Sequence, residues 1–280
     1  MSPPFVENNE RVAAHDSRVR YALHLPPAEL RPSGGSPVVV LLHGFARDHR
    51  RHLGNAARFA SHGLAVLTPD LTTLLTGERG RRDNVDHIFN HLEWLRARNA
   101  DPEDALHRQL DLTRIAIVGH SAGGAIALEF AMAASETDSA PAAVVLMDGV
   151  PWRETIDRIR TSKAGNRVLS LRADDSVWNN RGSVREVERI WPGPLTAIHL
   201  PGATHVDPED PSSSVANWVV GSSPADQRSR FARLTATFLA SQLLASADTE
   251  RAFERCLAEL VERGEAVLEP LTPRDVGGER

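Results

Sequence analysis

Four stretches of this chain are apolar almost without interruption over a strand's length: "VVVLLH" (38–43), "LAVLTPD" (64–70), "RIAIVG" (114–119) and "AAVVLMD" (142–148). A strand with one face in water alternates polar and apolar residues, so runs of this kind must be covered on both faces. The covers lie between them. "DHRRHLGNAARFASHG" (48–63) has helical spacing through Leu53, Ala56, Ala57 and Ala60, with Gly63 where a C-terminal cap belongs. "DNVDHIFNHLEWLRAR" (83–98) repeats Val85, Ile88, Phe89, Leu92 and Leu95 at spacings of three and four, and "SAGGAIALEFAMAAS" reads as a helix of small residues. A helix near 152–164, the strand "NRVLSLRA", a short helix near 183–190 and the strand "PLTAIHL" continue the alternation. Such an order predicts an α/β protein with a mostly parallel, twisted sheet and helices on both faces.

The ends read differently. "SRVRYALHLPP" (17–27) alternates like an edge strand of an antiparallel pair, and the region from about 224 to 262 reads as two helices broken near "SADTE". One domain is expected over residues 1–264, with a C-terminal helical extension from about 248 and an irregular tail over 265–280. The segment between Asp148 and Arg167 is too short for a large lid domain, which predicts an open cleft.

Composition removes several function classes. The 280 residues carry a formal charge of -5 and no basic block, which argues against phosphate-driven nucleic-acid binding. Cys256 is the sole cysteine, so no intramolecular disulfide can form. No apolar stretch approaches bilayer length, and "MSPPFVENNERV" lacks the charged and apolar regions of a signal peptide. A cytoplasmic chain is expected, or a secreted one if a leader has been removed.

Chemistry gathers at "GHSAG" (119–123), directly after the strand "RIAIV". In a parallel sheet, reactive groups collect at the carboxyl ends of strands. Glycines two positions before and two after Ser121 permit the sharp strand-to-helix turn that lifts a serine hydroxyl out of the sheet, the G-x-S-x-G nucleophile elbow. A serine nucleophile needs a base, an orienting acid and an oxyanion hole. Ala122, next after the serine, supplies one amide. "LLHGFARD" supplies the loop for the second, with Gly44 permitting a tight turn that presents the Phe45 amide. His43 then either holds that loop by a side-chain hydrogen bond or simply ends a strand.

Of twelve histidines, His205 in "LPGATHVDPEDP" is the expected base, because it lies in a long loop just beyond a strand. His199 sits within that strand, and the His120 ring is expected to point away from Ser121. His87 and His91 are spaced to share one helix face and are read as surface residues, since no third metal ligand accompanies them. Asp207, Glu209 and Asp210 read as an acidic turn, and no metal is assigned. For the acid, Asp175 after "VLSLRAD" is favoured over Asp148 after "AAVVLM", because an acid on the later strand is the commoner arrangement. Asp174 is expected to face solvent or cap a turn.

With "HGF", "SHGLAVLTPD", "GHSAGG", "DDSV" and "GATH" in this order, the chain resembles the α/β-hydrolase superfamily from about residue 17 to 246, in particular its lid-poor group of dienelactone-hydrolase-like proteins, chlorophyllases and bacterial cutinases. That resemblance implies a serine esterase with Ser121, Asp175 and His205 as triad. "GVPW" resembles the cutinase segment whose tryptophan lines the acyl cleft, which would set Trp152 beside Phe45. Trp152 and Trp178 each follow a strand end and serve either as an aromatic wall for substrate or as packing.

The expected reaction is cofactor-independent hydrolysis of a small-molecule or polymeric ester through an acyl-enzyme. An acyltransferase or thioesterase on the same triad is the nearest alternative, and a non-catalytic α/β-hydrolase-like binding protein is the alternative from another class. The sequence leaves the oligomeric state open.

Overall fold

The computed structural model describes residues 5–8, 19–72, 77–211 and 225–271. Among these residues nine strands form one sheet: β1 (Phe5–Asn8), β2 (Tyr21–His24), β3 (Ser36–Leu42), β4 (Ala65–Pro69), β5 (Leu110–His120), β6 (Ala143–Met147), β7 (Arg167–Arg172), β8 (Leu195–His199) and β9 (Val267–Leu268). Their spatial order is β1-β2-β4-β3-β5-β6-β7-β8-β9. Strands from β4 across to β8 run parallel, whereas β1, β2 and β9 join antiparallel at the two edges.

Among the described residues, seven α-helices accompany the sheet: α1 (Leu53–Ala60), α2 (Gly77–Ala100), α3 (Ala122–Ala134), α4 (Arg153–Thr161), α5 (Arg185–Ile190), α6 (Ala225–Leu243) and α7 (Ala247–Glu262). The uninterrupted apolar runs follow from their two-sided cover. Along β3, Val38, Val40 and Leu42 point into a core shared with α2, α3, α4 and α5, while Val39 and Leu41 point into a second core shared with α1, α6 and α7. β5 and β6 split in the same way, with Ile115, Ile117, Val144 and Leu146 on the first side and Ala116, Val118, Val145 and Met147 on the second. Period-two geometry thus assigns each strand's residues to alternate layers.

Both edges depart from the sequence reading. β2 is not an edge strand, because β1 covers its outer side. The tail expected to be irregular from 265 forms β9, which pairs Val267 with His199 and Leu268 with Ile198. Residues 272–280 of that tail lie outside the described residues. The helical region near the carboxyl terminus breaks as expected: Ser246 caps α7 through a capping box with Thr249, and α7 packs on α6 with Cys256 and Leu260 buried.

After β3 and β4 the chain crosses to the other side of β3 and lays down β5. Strand order therefore reverses between β3 and β5, and the carboxyl ends of strands at such a reversal are where α/β sheets place their reactive groups.

Candidate active site

Ser121 follows the last residue of β5 and so stands at that reversal. Its backbone has φ 54° and ψ −124°, a region a residue with a Cβ occupies only under constraint from its surroundings. The flanking glycines make the turn physically possible. A Cβ on Gly119 would run into the Gly123 carbonyl, and one on Gly123 would stand 2.5 Å from the His43 oxygen and 2.8 Å from the Leu42 oxygen. The elbow is therefore three backbone segments in direct contact, with α3 starting against the end of β3. Ser121 occupies the N-cap position of α3, yet its hydroxyl caps nothing in that helix.

The hydroxyl instead meets His205, whose Nε2 lies 2.9 Å from Ser121 Oγ. On the far side of the ring, Nδ1 lies 2.6 Å from Oδ2 of Asp148. A carboxylate can only accept, so Nδ1 carries the proton and donates to Asp148, which leaves Nε2 free to accept from the serine. All three side chains are buried or nearly so.

The structure thus corrects the expected acid. Asp175 is exposed and paired with Arg185, whose Nη1 lies 2.7 Å from Oδ1 and 2.9 Å from Oδ2. Asp148 holds the position against His205. Strand register explains why: His120 of β5 pairs with Met147 of β6, so Ser121 and Asp148 leave adjacent parallel strands side by side. Asp148 also has positive φ, 47°, and further donors fix its carboxylate. Ala173 N donates to Oδ1 at 3.0 Å and Asn179 Nδ2 to Oδ2 at 3.1 Å. Asn179 is held in turn by the amides of Ser176 and Gly182, which donate to its Oδ1. Asp174 accepts from His199 Nε2 at 2.8 Å and from Gly202 N at 3.1 Å, closing the turn before the base loop.

The loop after β3 approaches the serine closely. A Cβ on Gly44 would stand 2.9 Å from Ser121 Cβ and 3.5 Å from Oγ, so only glycine lets Phe45 come this near. His43 holds the loop by hydrogen bonds: Leu71 N donates to its Nε2 at 2.7 Å, and its Nδ1 donates to Gly44 O at 2.8 Å. This pairing requires a neutral ring, and burial lowers the His43 pKa accordingly.

The Phe45 and Trp178 side chains are exposed, and Val177 beside Trp178 is 72% exposed. Trp152 is half-buried against the core, with the Arg81 guanidinium 5.4 Å from its ring centre. His91, read as a surface residue, is instead buried edge-on to Tyr21 at 5.8 Å between ring centres. The helix face it occupies is the one α2 turns to the core. Of the acidic turn, Asp207 accepts from Thr204 N at 2.6 Å and Glu209 accepts from Arg47 Nε at 2.6 Å. The sequence reading missed Asn179 and Glu209 as neighbours of the site. Asn179 sits in a polar loop with no periodic signal, and Glu209 was hidden among acidic residues.

Parallel sheet, strained serine elbow and loop histidine define an α/β-hydrolase. Residues 16–166 match the chlorophyllase family, so the chain belongs to that family. It is also similar to Cutinase 2 of Thermobifida cellulosilytica, 28% identical over 172 residues that cover 58% of this chain and 58% of that protein. Cutinase cut1 of Thermobifida fusca is 28% identical over 172 residues, covering 58% of this chain and 47% of that protein. The chain thus spans about half the length of the curated relatives it matches. Among the described residues, no helix is long and apolar enough to cross a membrane.

Proposed function

We propose that this protein hydrolyses carboxylic esters through Ser121, His205 and Asp148. The observation that carries the proposal is the continuous hydrogen-bond chain from Ser121 Oγ through both nitrogens of His205 to Asp148. Ser121 Oγ attacks the ester carbonyl as its proton passes to His205 Nε2. The imidazolium so formed is stabilised by Asp148, and it returns the proton to the departing alcohol. The tetrahedral oxyanion is received by the amides of Phe45 and Ala122, the second of which opens α3, where free amides favour negative charge. Water then attacks the acyl carbonyl as His205 takes its proton, the bond to Ser121 Oγ breaks to release a carboxylic acid, and His205 returns the proton to Ser121.

The similarity to cutinases and membership of the chlorophyllase family support a carboxylic ester as the substrate. Phe45 follows the glycine packed against Ser121, Trp178 precedes the asparagine bonded to Asp148, and both rings are exposed, which supports a role for each in meeting substrate. We assign substrate contact to Phe45 and Trp178. Trp152 is half-buried on the core beneath Arg81 and is given no substrate contact.

The test is hydrolysis of p-nitrophenyl esters of graded acyl length together with fluorophosphonate labelling. Ser121→Ala is expected to lower kcat by about three orders of magnitude or more and to abolish labelling. Full activity in that variant would remove Ser121 from the mechanism.

A further inference from the structure

The turn that carries the Phe45 amide and the loop that carries His205 come from distant parts of the chain, yet attack on an ester needs them in fixed register. One ion pair, buried at its carboxylate end, joins them. Arg47, two residues after Phe45, donates from Nε to Glu209 Oε1 at 2.6 Å, and the Glu209 side chain is 1% exposed against 25% for Arg47. His120 lies between the same segments. Its Nε2 donates to the His205 carbonyl at 2.8 Å, and its Nδ1 stands 4.0 Å from Glu209 Oε1 and 3.4 Å from where a Cβ on Gly44 would be. Behind the pair, the segment after His205 is stitched to the start of α1. Gly54 N donates to Asp210 O at 2.9 Å, Asp210 N to Arg51 O at 2.8 Å and Asn55 Nδ2 to Pro208 O at 2.7 Å.

Stability alone does not account for this arrangement. Desolvation offsets most of the attraction in a buried ion pair, and apolar side chains of similar volume would hold the fold as well. Glu209 Oε2 finds no hydrogen-bond partner among the described residues, which adds to the cost. What the pair supplies is direction: a charge-assisted bond fixes both the separation and the orientation of its two loops.

Building on the ester-hydrolase reading, we propose that Arg47 and Glu209 are positioning residues whose ion pair braces the oxyanion turn against the base loop, so that acylation of Ser121 depends on a contact remote from the ester. Asp148 sets the rotation of the His205 ring. The brace sets where its loop stands relative to the Phe45 amide. A misplacement well under an ångström at either group slows the chemical step and leaves substrate binding largely intact.

The experiment compares wild type, Arg47→Gln, Glu209→Gln and the double variant, using p-nitrophenyl butyrate kinetics, the rate of phosphonylation by a fluorophosphonate and amide hydrogen exchange. Each single variant is expected to lower kcat by about tenfold or more with KM within about twofold, and to slow phosphonylation to match. The double variant should be no slower than the worse single one, since the brace is already lost. A folded single variant with kcat within about twofold of wild type would overturn the proposal, as would losses that multiply in the double variant. Should Glu209→Gln fail to fold, Arg47→Gln, at a more exposed position, faces the same criterion.

Hydrogen exchange separates this proposal from the reading beneath it. Exchange at 44–48 and 203–210 should rise in both single variants whether or not the chain turns over an ester. Unchanged exchange would refute the brace even with a working triad, whereas a wild type that neither hydrolyses nor labels would refute the hydrolase and leave exchange to judge the brace.

Discussion

A carboxylate's neighbours decide what it does. Asp148 and Asp175 both follow apolar strands, yet one faces an imidazole and the other a guanidinium. Asp148→Asn should therefore lower kcat by about three orders of magnitude, since an amide side chain no longer stabilises the imidazolium or enforces its tautomer. Asp175→Asn should leave kcat within about twofold of wild type, since it removes only a surface ion pair. Steady-state kinetics on the two purified variants decides, and the reverse ranking would return the acid to Asp175. The sequence carries a signal for this choice. Asp148 follows its strand immediately, as Ser121 does, whereas Asp175 lies three residues beyond Arg172. Adjacent parallel strands in register deliver their first loop residues to the same place. His205 was easier to find, because its loop is the first after β8 and bears the one histidine there.

At the scale of elements, the decisive contact is α3 against the end of β3. Gly123→Ala would drive a methyl group into the His43 and Leu42 carbonyls, which belong to backbone held by the sheet, so α3 must shift instead. The expected cost is about 1–3 kcal/mol of unfolding free energy, accompanied by a fall in kcat, because Ser121 moves with the helix it directly precedes. Denaturant unfolding and kinetics on one preparation measure both, and a fully active, fully stable variant would contradict the packing. The interior elements were legible because hydrophobic period reports them directly: strands two-sidedly apolar, helices at spacings of three and four. β1 and β9 were not. β9 is only two residues long, with both side chains largely exposed, and its existence depends on β8 offering a free edge, which no local pattern announces. His91 was misread because two histidines four apart suggest a polar face. The core takes the ring anyway and bears the loss of its hydration.

For the whole molecule, that loss makes stability depend on pH. Burial lowers His24 and His91 to about 4 and His52 to about 3, all below the 6.5 of an exposed imidazole. As pH falls through the ordinary histidine value, the unfolded chain takes up protons that the folded chain refuses. Stability is therefore full above that value, declines as pH drops below it, and stops declining once the folded pKa values are passed. Each such histidine contributes a slope of up to about 1.4 kcal/mol per pH unit within that window. The melting temperature should fall between about pH 7 and about pH 5, and His91→Phe should flatten the fall. Calorimetry across that range tests it, and a flat wild-type profile would refute it. One feature of the sheet bears on how such a protein diversifies. Because Asp148 leaves β6, the loop after β7 contributes to the proposed triad only the Ala173 amide and Asn179, which steady the Asp148 carboxylate. Its exposed tip at Val177 and Trp178 is released from the chemistry. Selection for a new substrate can rewrite that tip in length and composition without rebuilding the machinery behind it.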